Sequence, residues 1–167
     1  MKVIVDDKIP YIAQSIEKIA NEVLFVSGDK FTPEIIKDAD ALIIRTRTKC
    51  NKQLLDGSNV QFIATATIGY DHIDTEYCKE KGIVWTSAPG SNSSSVSQYI
   101  ESCLILLQSD YNLTLKGKTI GIVGVGNVGS KVKALAETYG MNILLNDPPR
   151  AKIEGNLEYV SMQDIME

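Results

Sequence analysis

Along this chain, short apolar runs alternate with stretches whose apolar positions recur three and four residues apart. Lys2 to Val5 is the first run, closed by Asp6-Asp7. Ile12, Ile16 and Ile19 then predict an amphipathic helix over 10–20. Runs over 23–26, 41–45, 62–67 and 83–85 predict further strands. Between them, helices are expected after Thr32, which reads as an N-cap with Pro33 at the first helical position, around 52–55, and over 74–81 with Gly82 as the stop. No hairpin signal interrupts the series, and strands alternating with helices imply a parallel, doubly wound sheet.

The pattern changes scale after the turn Ala88-Pro89-Gly90-Ser91-Asn92. Val96, Ile100, Cys103, Leu104 and Leu107 hold one face of a long helix over 96–107, with Ile105 and Leu106 widening it toward full burial. Ile120, Ile122 and Val123 then run into Gly124-Val125-Gly126-Asn127-Val128-Gly129, and the helical pattern S-K-V-K-A-L-A-E-T-Y-G follows at once. The chemistry of that junction is specific. The first glycine allows a tight turn, the second lets a pyrophosphate approach the backbone, and the third lets helix pack closely on strand. Free N–H groups at the helix N-terminus bind the anion. Asp147 ends the next apolar strand, at a distance where its carboxylate can accept hydrogen bonds from ribose hydroxyls. Gly124, Gly126, Asn127, Val128, Gly129 and Asp147 are therefore the candidate dinucleotide site; the competing reading is a glycine-rich turn in some other α/β protein. Pro148 and Pro149 are expected to stiffen the chain beside the ribose, Leu157 to Val160 to form a short strand, and Ser161 to cap a helix.

The composition adds mainly exclusions. The 167 residues carry a net charge of −4 and are 44% apolar, as in an ordinary soluble domain with no basic footprint, so neither nucleic acid nor membrane is expected as a partner. The start M-K-V-I-V-D-D reaches two aspartates before any signal-like apolar run, and a cytoplasmic protein is expected. Cys50, Cys78 and Cys103 lack C-x-x-C spacing, which favours reduced thiols over disulfides or a metal site.

In doubly wound sheets ligands gather beyond the carboxyl ends of the strands. The polar residues there are Thr46 to Thr48 after the third strand and Thr65, Thr67, Ile68 and Gly69 around the end of the fourth. Their hydroxyls and open N–H groups suit a carboxylate or phosphate, and Arg45 or Arg47 can add a charge-assisted bond. The alternative is that these threonines satisfy loop backbone. A dinucleotide fold needs two mononucleotide halves, and this chain supplies about three strands of such a sheet; the expectation is an N-terminal piece of a protein about twice as long.

Through T-I-G-I-V-G-V-G-N-V-G and the lobe that precedes it, the chain resembles the D-isomer-specific 2-hydroxyacid dehydrogenases over its whole length. A narrower match inside that family rests on V-D-D-K-I-P-Y, A-D-A-L-I-I-R-T-R-T-K, F-I-A-T-A-T-I-G-Y-D-H-I-D, S-A-P-G-S-N and above all N-D-P-P-R at Asn146 to Arg150. The resemblance implies a flavodoxin-like parallel-sheet substrate lobe over 1–95, a connecting helix and linker over 96–116, and the first part of a Rossmann NAD-binding domain over 117–167. It implies NAD as cofactor, favoured over NADP by the charge of Asp147, a phosphorylated 2-hydroxy acid as substrate held through Thr46 and Thr67, and a homodimer. The arginine, glutamate and histidine that perform catalysis in the family are expected beyond residue 167, so that no catalytic residue is assigned here and the chain by itself is expected to be inactive. His72 falls at the turn after the fourth strand, where a structural role is expected. Two alternatives stay open: a dehydrogenase for another 2-hydroxy acid, and a non-catalytic NAD-sensing module of the same fold.

Overall fold

In the computed structural model, which describes residues 1–155 and 158–167, the chain divides into two compact units, Met1–Pro89 and Gly90–Glu167. The α/β architecture with parallel strands expected from the alternation is the one observed.

The first unit is built on β1 (Lys2–Asp6), β2 (Glu22–Val26), β3 (Ala41–Ile44), β4 (Phe62–Thr65) and β5 (Val84–Thr86), all parallel, in the order β2-β1-β3-β4-β5. This is the flavodoxin-like order. A parallel sheet must be covered on both faces, and two apolar clusters do so. One holds Ile4, Leu42, Ile44 and Ile63 with Ile36, Leu54, Leu55 and Cys78; the other holds Val3, Val5 and Ala41 with Ile16. Alternate residues of β1 thus face opposite clusters, as the period of two requires. The crossovers are α1 (Ala13–Ile16), α2 (Pro33–Ile36), α3 (Lys52–Leu55) and α4 (Thr75–Lys81). Asp74 caps α4 by accepting from the Tyr77 N–H, and Gly82 ends it with φ +70. The expected helix over 10–20 shortens to a single turn. Tyr11 sits at φ 61, so regular helix begins only beyond Ile12, and Ile19 is exposed.

The second unit starts with α5 (Ser93–Asp110), which packs on α6 (Gly129–Thr138). Its Leu104 is buried, but Ile105 and Leu106 are about half exposed, at 49% and 55%. Full burial of that face, expected from the sequence, is not realised because no described residue of the unit covers it. β6 (Thr119–Val123) and β7 (Asn142–Asn146) pair in parallel, with Tyr159 adding an isolated bridge to Leu145. Ile122, Val125, Val132 and Leu145 form the core of this unit. Of the strand expected over 157–160, Leu157 lies outside the described residues. Two helices follow β7: α7 (Pro148–Glu154) and α8 (Met162–Met166). Pro148 and Pro149 therefore open a helix instead of stiffening a loop, since their fixed φ and missing N–H are no handicap in a first helical turn. Ser161 and Asp164 form a reciprocal capping box on α8.

Among the described residues, no helix is long and apolar enough to cross a membrane, and no cluster of His, Cys, Asp and Glu could hold a metal ion. The three cysteines are free; burial pushes the Cys50 thiol up to about 12, which keeps it protonated and unreactive.

Candidate functional site

The glycine turn leaves β6 where β7 ends, with the Gly124 N–H donating to the Asn146 carbonyl at 2.8 Å. Each glycine has a separate physical cause. Gly124 stands at φ +84, a left-handed conformation that L side chains rarely adopt. At Gly129 a Cβ would lie 2.0 Å from the Gly124 carbonyl oxygen, so only glycine lets α6 start this close to the strand. At Gly126 a Cβ would meet nothing within 4 Å. That glycine fills no protein contact, and the space beside it is open. The N–H groups of Gly126, Asn127 and Val128 have no partner among the described residues. They stand at the N-terminus of α6, where the helix dipole adds positive potential. These are the features a pyrophosphate needs.

Asp147 is half-buried and holds the turn from the other side. Its Oδ2 accepts from the Val125 N–H at 2.8 Å, and its Oδ1 accepts from the Arg150 N–H at 3.1 Å as the N-cap of α7. Each oxygen keeps a second lone pair that a ribose hydroxyl can use. Arg150 completes the grip: its Nη1 donates to the Val125 carbonyl and its Nε to Glu154, which also accepts from the Tyr159 hydroxyl at 2.8 Å. One residue of the turn, Val125, is thus held by both its N–H and its C=O. N-D-P-P-R contained this arrangement, yet the clasp was not legible, because the partner of Arg150 lies 25 residues back along the chain. A hollow of about 360 Å³, bordered by Asp147, Pro148, Tyr159 and Met162, opens beside the carboxylate.

In the first unit, β1 is flanked by β2 on one side and β3 on the other, which makes the β1/β3 boundary the switch point of the sheet. A cavity of about 220 Å³ lies there, lined by Lys8, Ser27, Gly28, Arg45, Thr46 and Arg47 among others. Gly28 is required by proximity, since a Cβ would lie 2.6 Å from the Asp6 Oδ2. Thr48 is buried and donates to the Gly28 carbonyl at 2.9 Å, stitching the loops after β2 and β3 together. It satisfies backbone, whereas Thr46 is exposed in the cavity wall. Neither Arg45 nor Arg47 has an ion-pair partner among the described residues, so their charge is available to an anion.

Thr67 follows β4 and is joined to groups the sequence did not connect with it. Its hydroxyl donates to the Gly69 carbonyl at 3.0 Å and lies 2.6 Å from the Thr65 Oγ1, which in turn lies 2.9 Å from the His72 Nε2. Thr65 is fully buried and His72 half-buried; burial lowers the His72 pKa against the opposing effect of Asp71. The structure thus brings Thr46 to the arginine-lined cavity and Thr67 to a hydroxyl–imidazole chain, while the glycine turn and Asp147 meet within the second unit.

Two sheets of this kind, joined in this order, are the architecture of the D-isomer specific 2-hydroxyacid dehydrogenases. The model of that family's catalytic domain matches residues 3–151, and the chain belongs to it. The chain is 59% identical over all 167 residues to a protein of Bacteroides thetaiotaomicron named erythronate-4-phosphate dehydrogenase, covering 48% of that protein. It is 41% identical, again over its whole length, to the protein of the same name from Porphyromonas gingivalis, covering 45% of it. The chain therefore spans about half the length of the curated relatives it matches. Among solved structures it is similar to the NAD+-bound 3-phosphoglycerate dehydrogenase of Entamoeba histolytica, with a TM-score of 0.70 and 33% identity over 89% of this chain and 54% of that one.

Proposed function

We propose that this chain is the N-terminal part of an NAD-dependent dehydrogenase that oxidises a phosphorylated 2-hydroxy acid, 4-phospho-D-erythronate, to 2-oxo-3-hydroxy-4-phosphobutanoate. The observation that carries the cofactor half is the turn: an open Gly126, three free N–H groups and an acidic strand end, on a fold whose relative from Entamoeba histolytica is described with NAD+. The observation that supports a phosphorylated substrate is the cavity at the switch point, where Lys8, Arg45 and Arg47 outnumber the one carboxylate, Asp6, in a wall shared with the exposed Thr46. Phosphate favours such a set of charge-assisted donors. Thr67 is assigned to the same ligand. When bound, NAD would supply the hydride acceptor for C2 of the hydroxy acid; the turn amides would hold its pyrophosphate and Asp147 its ribose. Asp147 favours NAD over NADP because a second phosphate would face its charge.

The proton released from the hydroxyl needs a base, and the only imidazole in these 167 residues is committed to Thr65 through Nε2. On the family resemblance, the base, the residue that orients it and a carboxylate-binding arginine are assigned to the remainder of the protein, and the 167-residue chain alone is assigned no turnover. A homodimer and a role in forming pyridoxal 5′-phosphate belong to the same reading and rest on the resemblance, and a cytoplasmic location is proposed with them.

The test is made on the protein at the full length of its relatives. Asp147→Ala should weaken NAD binding by about 1–3 kcal/mol, the range for hydrogen bonds to a charged group, measured by calorimetry. The wild-type protein should turn over 4-phosphoerythronate in preference to erythronate. Unchanged NAD affinity would remove Asp147 from the site, and indifference to the phosphate would leave a dehydrogenase for another 2-hydroxy acid.

A further inference from the structure

The hydrogen bonds that join His72, Thr65, Thr67 and Gly69 admit one direction only. A carbonyl oxygen can only accept, so the single hydroxyl proton of Thr67 is spent on Gly69. The 2.6 Å contact between the two threonine oxygens must then be made by the Thr65 proton. Thr65 has no second proton, so toward His72 it accepts, and His72 Nε2 must carry the hydrogen. The tautomer of the imidazole, ordinarily a matter of assignment, follows here from counting protons along a chain with a fixed end. Protonation at Nδ1 leaves the direction unchanged, because the imidazolium also donates from Nε2.

We propose that His72 is a positioning residue which, through Thr65, holds the Thr67 hydroxyl as a hydrogen-bond acceptor toward its ligand, so that this one oxygen recognises a ligand hydroxyl and not an anionic oxygen. Thr67 is partly exposed at the end of β4 and has one lone pair left once Thr65 and Gly69 are satisfied. An acceptor there repels carboxylate and phosphate oxygens and welcomes an O–H. On the proposed reading, which this inference deepens, the 2-hydroxyl proton must leave to a base. The hydroxyl that meets Thr67 is therefore the spectator at C3, and the charged ends of the substrate go to other donors. The chain from His72 thus separates the two kinds of oxygen in a polyhydroxy acid phosphate.

Two measurements test this. His72 is the only histidine of the chain, so its imidazole nitrogens are read directly in a 15N–1H correlation spectrum of the 167-residue protein, without any substrate. The Nε2–H form is expected, and the Nδ1–H form would reverse the relay and overturn the proposal. The second measurement uses the full-length enzyme and compares kcat/KM for 4-phosphoerythronate with that for its 3-deoxy analogue. The wild type should prefer the hydroxylated substrate by about tenfold, the size of one neutral hydrogen bond. His72→Gln, which keeps an N–H donor, should retain that ratio; His72→Leu and Thr67→Val should bring it near one. A ratio that is the same in all four proteins would show that His72 is merely structural and sink the proposal. Absence of any turnover of 4-phosphoerythronate would instead count against the substrate reading, with the tautomer still deciding the relay.

Discussion

Asp147 and His72 show how differently single residues disclose their work. Asp147 is a candidate from the sequence because a carboxylate at the end of a strand, about 20 residues past a glycine turn, has a narrow set of uses. The structure adds that both of its oxygens also hold backbone N–H groups. The relay was illegible because its members gain meaning only through direction, and Thr65, Thr67 and His72 read as loop-satisfying residues in one dimension. The imidazole also sets a pH response. Burial gives it a pKa below its ordinary value of 6.5 in the folded protein, so the unfolded chain binds more protons as the pH falls. By linkage, this group's contribution to stability is intact above the unfolded pKa and is lost as the pH drops from there toward the folded value. Urea midpoints measured downward from pH 7 should fall across that window, and the fall should be smaller in His72→Gln. Equal slopes in the two proteins would contradict the burial argument.

At the scale of elements, strands were legible and helices less so. Apart from the strand expected over 157–160, where the described residues show only an isolated bridge at Tyr159, the strand expectations match within a residue or two, because a buried parallel strand shows itself as an uninterrupted apolar run. Helix ends depend on local conformation. Tyr11 at φ 61 cuts the first helix short, and the two prolines after Asp147 open α7 where rigid coil was expected. The close start of α6 on β6 is the element contact with the sharpest consequence. Gly129→Ala would place a methyl group 2.0 Å from the Gly124 oxygen, and the backbone cannot yield there without moving the turn. A loss of about 1–3 kcal/mol is expected from such overpacking, read as a lower denaturant midpoint. Weaker NAD binding should accompany it in the full-length protein, since the same movement displaces the free amides. Wild-type stability in this variant would mean that helix and strand can part at no cost.

At the scale of the molecule, the two units differ in completeness. In the first, β1, β3 and β4 each have a strand on both sides, and two apolar clusters cover the sheet. In the second, among the described residues, β6 pairs only with β7, and Val123 is 58% exposed. Native-state hydrogen exchange of the 167-residue chain should therefore protect the amides of β1, β3 and β4 most and those of β6 least. Slower exchange in β6 than in β3 would show a second unit as well consolidated as the first.

The closure of the first sheet has a kinetic counterpart. Its described strands all come from residues up to Thr86, so every strand pair in it is encoded ahead of the nucleotide unit. Synthesis proceeds at about 5–20 residues per second and N-terminal domains fold first, whereas a parallel sheet of this size condenses in milliseconds to seconds. The arginine-lined cavity can thus form while the nucleotide unit is still being completed. A nascent chain long enough to carry the first unit clear of the ribosome already holds its switch-point chemistry.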